Sequence, residues 1–265
     1  PRFLAIVSAT SLASTLVRKA SGRVDGLVIE GPTAGGHNAP PRGTLTLDAT
    51  GQPVYGERDA VDLTKIRELG VPFWLAGGSG RPGALDEALA AGAAGIQVGT
   101  LFAFSEESGL APEVRAEALA AIREERATVF TDPDASPTGY PFKLLQTSEV
   151  DAGAARVRNC DLGYLRTAFR RPDGRIDYRC PAEPVEQYVA KGGDAADTVG
   201  RRCLCNGLLA NVGHAQVRDD GTGEPTLLTT GDAIDAVRTL LGGRESYRAD
   251  DVIDWLAPGT PIAAD

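Results

Sequence analysis

The chain has 265 residues, 42% hydrophobic and 24% charged, with a net charge of −9, a composition that suits a soluble globular protein of one or two domains. The acidic balance excludes a general nucleic-acid or anionic-membrane binder, which would need basic patches, and no apolar run approaches the ~20 residues of a membrane span. Four cysteines are too few for a disulfide scaffold, and with no signal peptide ahead of the first strand-like run they predict a reducing cytoplasm.

Methionine is absent even from position 1, so the N-terminus is expected to be a cut. "FLAIV" (3–7) is a strand-length apolar run, and Leu12 and Leu16 behind it share a helical face. "GLVIE" (26–30) is the next strand, followed by the loop "GPTAGGHNAP". "GTLTLDATGQPVYG" (43–56) alternates about a turn and predicts a hairpin excursion. Asp62 is placed to cap a short helix carrying Leu63 and Ile66 that stops at Gly70. "PFWLA" (72–76) is a third strand, and Pro82 suits the first turn of a helix with Leu85, Ala88 and Leu89 on one face, ending at Gly92. "GIQVG" (95–99) is a fourth strand, and Pro112 opens a helix with Val114, Ala118, Ala121 and Ile122 on one stripe.

Continuous apolar strands alternating with helices are the signature of a parallel sheet covered by helices. Four βα units are visible, whereas a (β/α)₈ barrel needs eight. The expectation is therefore either an open sheet or the second half of a barrel over residues 1–126. Residues 127–265 read as a loop-rich helical extension packed on it. There "TDPDASPTGYPF" and "RRPDGRIDYRCPAEP" are ordered loops, and helical patterns return at 184–191, 205–212, 233–241 and 249–256.

In parallel α/β proteins, ligands gather at the carboxyl ends of the strands. "AGGSGRPG" (76–83) and "GTLFAF" (99–104) both lie there, with Gly78 and Gly99 one βα unit apart. Two adjacent glycine turns entering helices can present free N–H groups to a phosphate, although glycines can also serve only tight turns. His37 follows the preceding strand and could take a proton or hydrogen-bond a ligand oxygen. A loop histidine satisfied by backbone is the competing reading, and Gly35 and Gly36 before it favour close approach to a ligand. His214 lacks such a context. Cys160, Cys180, Cys203 and Cys205 could form a Cys₄ zinc site, though the spacing is not the usual C-x-x-C; otherwise they are buried small residues. Gly-x-Ser-x-Gly, P-loop and H-E-x-x-H motifs are missing, which leaves hydrolase and nucleotide-triphosphatase readings without support.

"EGPTAGGHNAP", "WLAGGSGRPGALDEALAAGAAGIQVGTLFAFSEES" and "SPTGYPFK", standing in that order, resemble the nitronate monooxygenase (2-nitropropane dioxygenase-like) flavoenzymes. The resemblance implies a (β/α)₈ TIM-type barrel of which this chain carries the last four βα units. It also implies an FMN cofactor whose phosphate is held by Gly77, Gly78, Gly99 and Thr100, with Gln97 lining the strand end below and Gly35 and Gly36 at the cofactor. His37 would lie by the flavin ring as catalytic base or as hydrogen-bond donor to the nitro group. In that family a nitronate is oxidised through flavin with dioxygen to a carbonyl compound and nitrite. Flavin-dependent enoyl-thioester reductases share the same loops, and a non-catalytic phosphate-binding half-barrel is a third reading, with pairing into a homo-oligomer as one way to cover its open edges. The family usually has Gly two residues after the His, where this chain has Asn38-Ala39-Pro40-Pro41. Substrate selection is expected to differ there.

Overall fold

The structure, a computed structural model, describes residues 1–147 and 156–259. Strands β1 (Leu4–Val7), β2 (Gly26–Glu30), β3 (Phe73–Ala76) and β4 (Gly95–Gln97) form one parallel sheet in the order β1-β2-β3-β4. Each predicted apolar run thus supplies a strand. Helices α1 (Thr10–Lys19), α2 (Leu63–Arg67) and α3 (Ala84–Ala90) lie in the connections. The Asp62 carboxylate accepts from the Thr64 and Lys65 N–H groups and so caps α2. Within the excursion between β2 and α2, residues 43–56 close on themselves through an antiparallel bridge, Leu47 to Pro53, and the Val54 N–H donates to the Thr46 carbonyl.

The parallel register sorts the strand residues onto two faces. Ala5, Val7, Leu27, Ile29 and Phe73 face the helices, where they are buried with Ala13, Ile66 and Ala88. Leu4, Ile6, Gly26, Val28, Glu30, Trp74, Gly95 and Gln97 occupy the other face. There Leu4 and Ile6 are 42% and 57% exposed, in contrast to the helix-covered side. Trp74 lies across this face because its neighbours lack side chains. A Cβ on Gly26 would stand 2.8 Å from the Trp74 ring, and one on Gly95 3.0 Å.

Two further helices follow the sheet, α4 (Thr100–Ala103) and α5 (Pro112–Arg123), and then the polypeptide departs from expectation. The region after residue 126 was expected to be loops and helices, but it contains two antiparallel strand pairs. Strand β5 (Thr128–Asp132) pairs with β6 (Phe142–Gln146), and β7 (Thr167–Arg170) pairs with β8 (Ile176–Arg179). The segment "RRPDGRIDYR" is therefore a hairpin with Gly174 at φ +85°, where Pro-Asp-Gly supplies the turn. Helices α6 (Val185–Ala190), α7 (Leu204–Ala210), α8 (Ile234–Leu241) and α9 (Ala249–Leu256) fall on the four predicted helical patterns.

One core cluster joins both sides of residue 126: Leu101, Phe104, Leu119 and Ile122 pack with Leu145, Val237, Leu241, Tyr247 and Val252. Tyr247 is buried there and its hydroxyl donates to the Leu101 carbonyl at 2.6 Å. No described helix is long and apolar enough to cross a membrane.

Candidate active site

The carboxyl ends of β2, β3 and β4 open on a cavity of about 330 Å³. Its wall contains Gly35, Gly36, Gly77, Gly78, Gln97, Gly99 and Thr100, so the fold brings every glycine-loop residue expected at a cofactor into one cup. Gly77 and Gly78 adopt φ of +85° and +71°, the left-handed region that glycine enters without strain. Among the described residues no Lys or Arg lines the cup. Its donors are backbone N–H groups, hydroxyls and the Gln97 amide, a set that meets a polar ligand by directed dipoles rather than by counter-charge. Helices α3 and α4 span only seven and four residues, so the loop amides themselves, more than helix dipoles, are what the cup offers.

A wall not foreseen from the sequence closes the cup: Thr229, Thr230, Gly231 and Ala233. The Gly36 N–H donates to Thr229 Oγ1 at 3.0 Å, and the Gly231 N–H donates to Thr100 Oγ1 at 3.0 Å. These contacts reveal what Gly35 is for. A Cβ at Gly35 would lie 2.7 Å from the Gly231 nitrogen and from the Thr230 carbonyl carbon, so the close approach it permits is to protein backbone, not only to a ligand. Gly35→Ala is accordingly expected to push the two loops apart and cost about 1–3 kcal/mol, the usual price of overpacking, read as a lower midpoint in chemical denaturation.

His37 stands just beyond the cup. Its loop is pinned to the start of β6 by an antiparallel bridge with Phe142, by Asn38 N–H to the Pro141 carbonyl at 2.9 Å, and by Lys143 N–H to the Gly36 carbonyl at 2.9 Å. The ring meets Phe142 edge-on, with centroids 4.8 Å apart. Nε2 is 2.7 Å from Ser136 Oγ, which is 2.7 Å from Thr138 Oγ1. Nδ1 has no hydrogen-bond partner among the described residues. Burial lowers the imidazole pKa below its usual 6.5, which favours the neutral ring near pH 7. His37 lines a cavity of about 380 Å³ with Ile6, Leu12, Asn38, Thr138 and Tyr140.

Glu30 connects the two spaces. At the end of β2, it lines both the cup and the His37 cavity. Burial raises its carboxyl pKa, and it has no hydrogen-bond or ionic partner among the described residues. The sequence offered only its place at a strand end as a signal. Behind the site, the buried Lys143 ammonium lies 2.7 Å from both Thr131 Oγ1 and Asp232 Oδ1, tying β5, β6 and the 229–232 wall together.

The four cysteines lie apart from this site. Arg158 donates to the Pro181 carbonyl at 3.0 Å, and Asn206 to the Asn159 carbonyl at 3.4 Å and Asp161 at 2.9 Å, which places their three segments side by side. All four thiols are free. Cys203, together with the Leu165 and Tyr164 N–H groups, draws the Cys205 thiol below its ordinary pKa. Burial pushes Cys180 up to about 11. Among the described residues no group of three or more His, Cys, Asp or Glu is arranged to hold a metal. The segments that carry the four thiols meet, and the Cys₄ alternative finds no such group there. His214 sits in the turn after α7, its N–H on the Leu209 carbonyl at 3.0 Å.

A parallel sheet with a glycine-walled cup at the carboxyl ends of its strands is an α/β architecture whose small-molecule sites lie at that end. The chain belongs to the nitronate monooxygenase family, whose model matches residues 2–240; the family's members are flavin-dependent oxidoreductases. A curated relative from Rhodococcus jostii (strain RHA1), (3aS,4S,5R,7aS)-5-hydroxy-7a-methyl-1-oxo-octahydro-1H-indene-4-carboxyl-CoA dehydrogenase, is 30% identical over 147 residues, covering 56% of this chain and 36% of the relative. Among solved structures, nitroalkane oxidase from Streptomyces ansochromogenes is 21% identical with a TM-score of 0.49, covering 97% of this chain and 56% of that one. FabK from Thermotoga maritima is 20% identical with a TM-score of 0.48, covering 96% and 59%. The chain spans less than two thirds of each of these proteins.

Proposed function

We propose that this protein is an FMN-dependent oxidoreductase of the nitronate monooxygenase type, oxidising alkyl nitronates with dioxygen to carbonyl compounds and nitrite. The observation that carries the reading is the juxtaposition of the glycine cup, which no described cation lines, with an imidazole whose Nδ1 has no partner among the described residues and which burial keeps neutral. The cup suits a phosphate monoester that Gly77, Gly78, Gly99 and Thr100 would hold, with Gly35 and Gly36 at the cofactor and Gln97 at the strand end. A Cβ on Gly99 would meet nothing within 4 Å, which leaves that side of the cup open to a ligand. A bound flavin supplies the electron acceptor and the centre that reacts with dioxygen.

The chain's own residues hold and position the substrate. His37, fixed by Ser136 and Phe142, offers Nδ1 to a nitro oxygen or to a proton on the neighbouring carbon. The apolar side chains Ile6 and Leu12 in its cavity receive an alkyl group. In the same reading, the four strands are the later half of a (β/α)₈ barrel, residues 127–265 an extension on it, and the exposed Leu4 and Ile6 line the barrel interior.

The test is the visible spectrum of the purified full-length protein, with the released cofactor identified, followed by oxygen uptake with alkyl nitronates. Flavin absorbance, released FMN and nitronate-dependent uptake support the reading. A colourless protein that ignores added FMN rejects it, and consumption of NAD(P)H with an enoyl thioester in place of nitronate turnover would make it an enoyl reductase.

A further inference from the structure

We infer that the segment Thr229–Asp232 is a ligand-binding wall of the cup and that Thr230 hydrogen-bonds a phosphate monoester there. This rests on the flavin reading above and assigns a residue to its phosphate.

Thr230 is 4% exposed, and its Oγ1 is buried with no hydrogen-bond partner. A buried hydroxyl without a partner is unfavourable and uncommon in a folded protein. The residue lines the cup, so an oxygen-rich ligand seated there would satisfy it. The neighbouring residues are already committed to protein contacts. Thr229 Oγ1 accepts from Gly36, the Gly231 N–H donates to Thr100, and the Asp232 N–H donates to the Thr33 carbonyl at 3.1 Å. Asp232 is held by Lys143. The wall is therefore fixed on three sides, and the Thr230 hydroxyl is the buried polar atom in it that no described protein group meets.

Directly after it, α8 begins at Ile234 without a side-chain cap, and Ala233 before it also faces the cup. A helix start left uncapped carries free N–H groups and a partial positive charge, which adds to a site that has no cation of its own. The hydroxyl, rather than the helix end, is what makes the site specific: it can donate to a phosphate oxygen in a fixed direction.

The experiment compares FMN with riboflavin, which lacks the phosphate, binding to the full-length protein and its Thr230→Val and Thr230→Ser variants, by flavin fluorescence titration. Wild type is expected to bind FMN more tightly than riboflavin. Thr230→Val should weaken FMN binding about tenfold, as loss of one hydrogen bond to a charged group implies, and leave riboflavin binding within about twofold. Thr230→Ser keeps the hydroxyl and should stay close to wild type. Equal losses for both flavins in Thr230→Val, or no loss for FMN, would overturn the inference while leaving the flavin reading intact. Wild type that binds neither flavin would instead overturn the flavin reading, and the inference with it.

Discussion

Phe142→Ala is expected to lower stability by about 3–5 kcal/mol, the range for truncating a fully buried aromatic side chain, measured by chemical denaturation. Phe142 is 2% exposed and packs with Ala135, Leu144, Leu204 and Leu227, residues from β6, α7 and the loops on either side. Its loss opens a cavity that backbone hydrogen bonds on both flanks keep from collapsing, since the neighbouring Pro141 and Lys143 are bonded to the His37 loop. Phe142→Leu retains most of the volume and should cost less than about 1.5 kcal/mol. The alanine variant should also reduce turnover at temperatures where it remains folded, because the His37 ring rests edge-on against Phe142. A stability loss below about 1 kcal/mol would show that this junction repacks freely.

His37→Ala should have the opposite profile. Under the proposed function it lowers kcat/KM for nitronate by about 10²–10⁴, the range for a lost acid–base group, while flavin content and stability stay near wild type. The ring is linked to the fold through one hydrogen bond and one edge contact, so little packing goes with it. Parallel loss of flavin and activity would make His37 a structural residue. The pH dependence follows from the same environment. Burial disfavours the imidazolium and lowers the pKa below 6.5, so the neutral base persists as pH falls through 6.5. The acid limb of kcat/KM should therefore lie below that of a free imidazole. An acid limb above 6.5 would mean that a different group titrates.

The parallel sheet was legible because its strands announce themselves as unbroken apolar runs, and buried parallel strands leave little room for anything else. Strand β6 shows the opposite. "FKLLQ" carries a lysine that reads as surface, yet Lys143 is 3% exposed, held by an aspartate 89 positions away. Short strands such as Thr128–Asp132 owe their pairing to tertiary context rather than to an internal pattern. At the site, the glycine loops were legible through their spacing and their place after strands. The wall at 229–232 was not, since nothing in "LLTTGDAID" resembles a binding loop until the chain has folded back onto Gly35 and Thr100. Glu30 was similarly unmarked, because a carboxylate at a strand end acquires its position only when the loops after β2 and β3 enclose it.

The placement of the tryptophans has a practical consequence. The chain contains two. Trp74 lies on the sheet's open face two residues before Ala76, which lines the cup, and the Trp255 indole N–H donates to the carbonyl of Gly80 in its wall at 3.2 Å. Indole emission overlaps flavin absorption, so a flavin in the cup would accept excitation energy from both rings at short range. Quenching of the indole emission would then report occupancy, giving an unlabelled optical titration in which Trp255→Phe separates the contribution of the helical extension from that of the sheet.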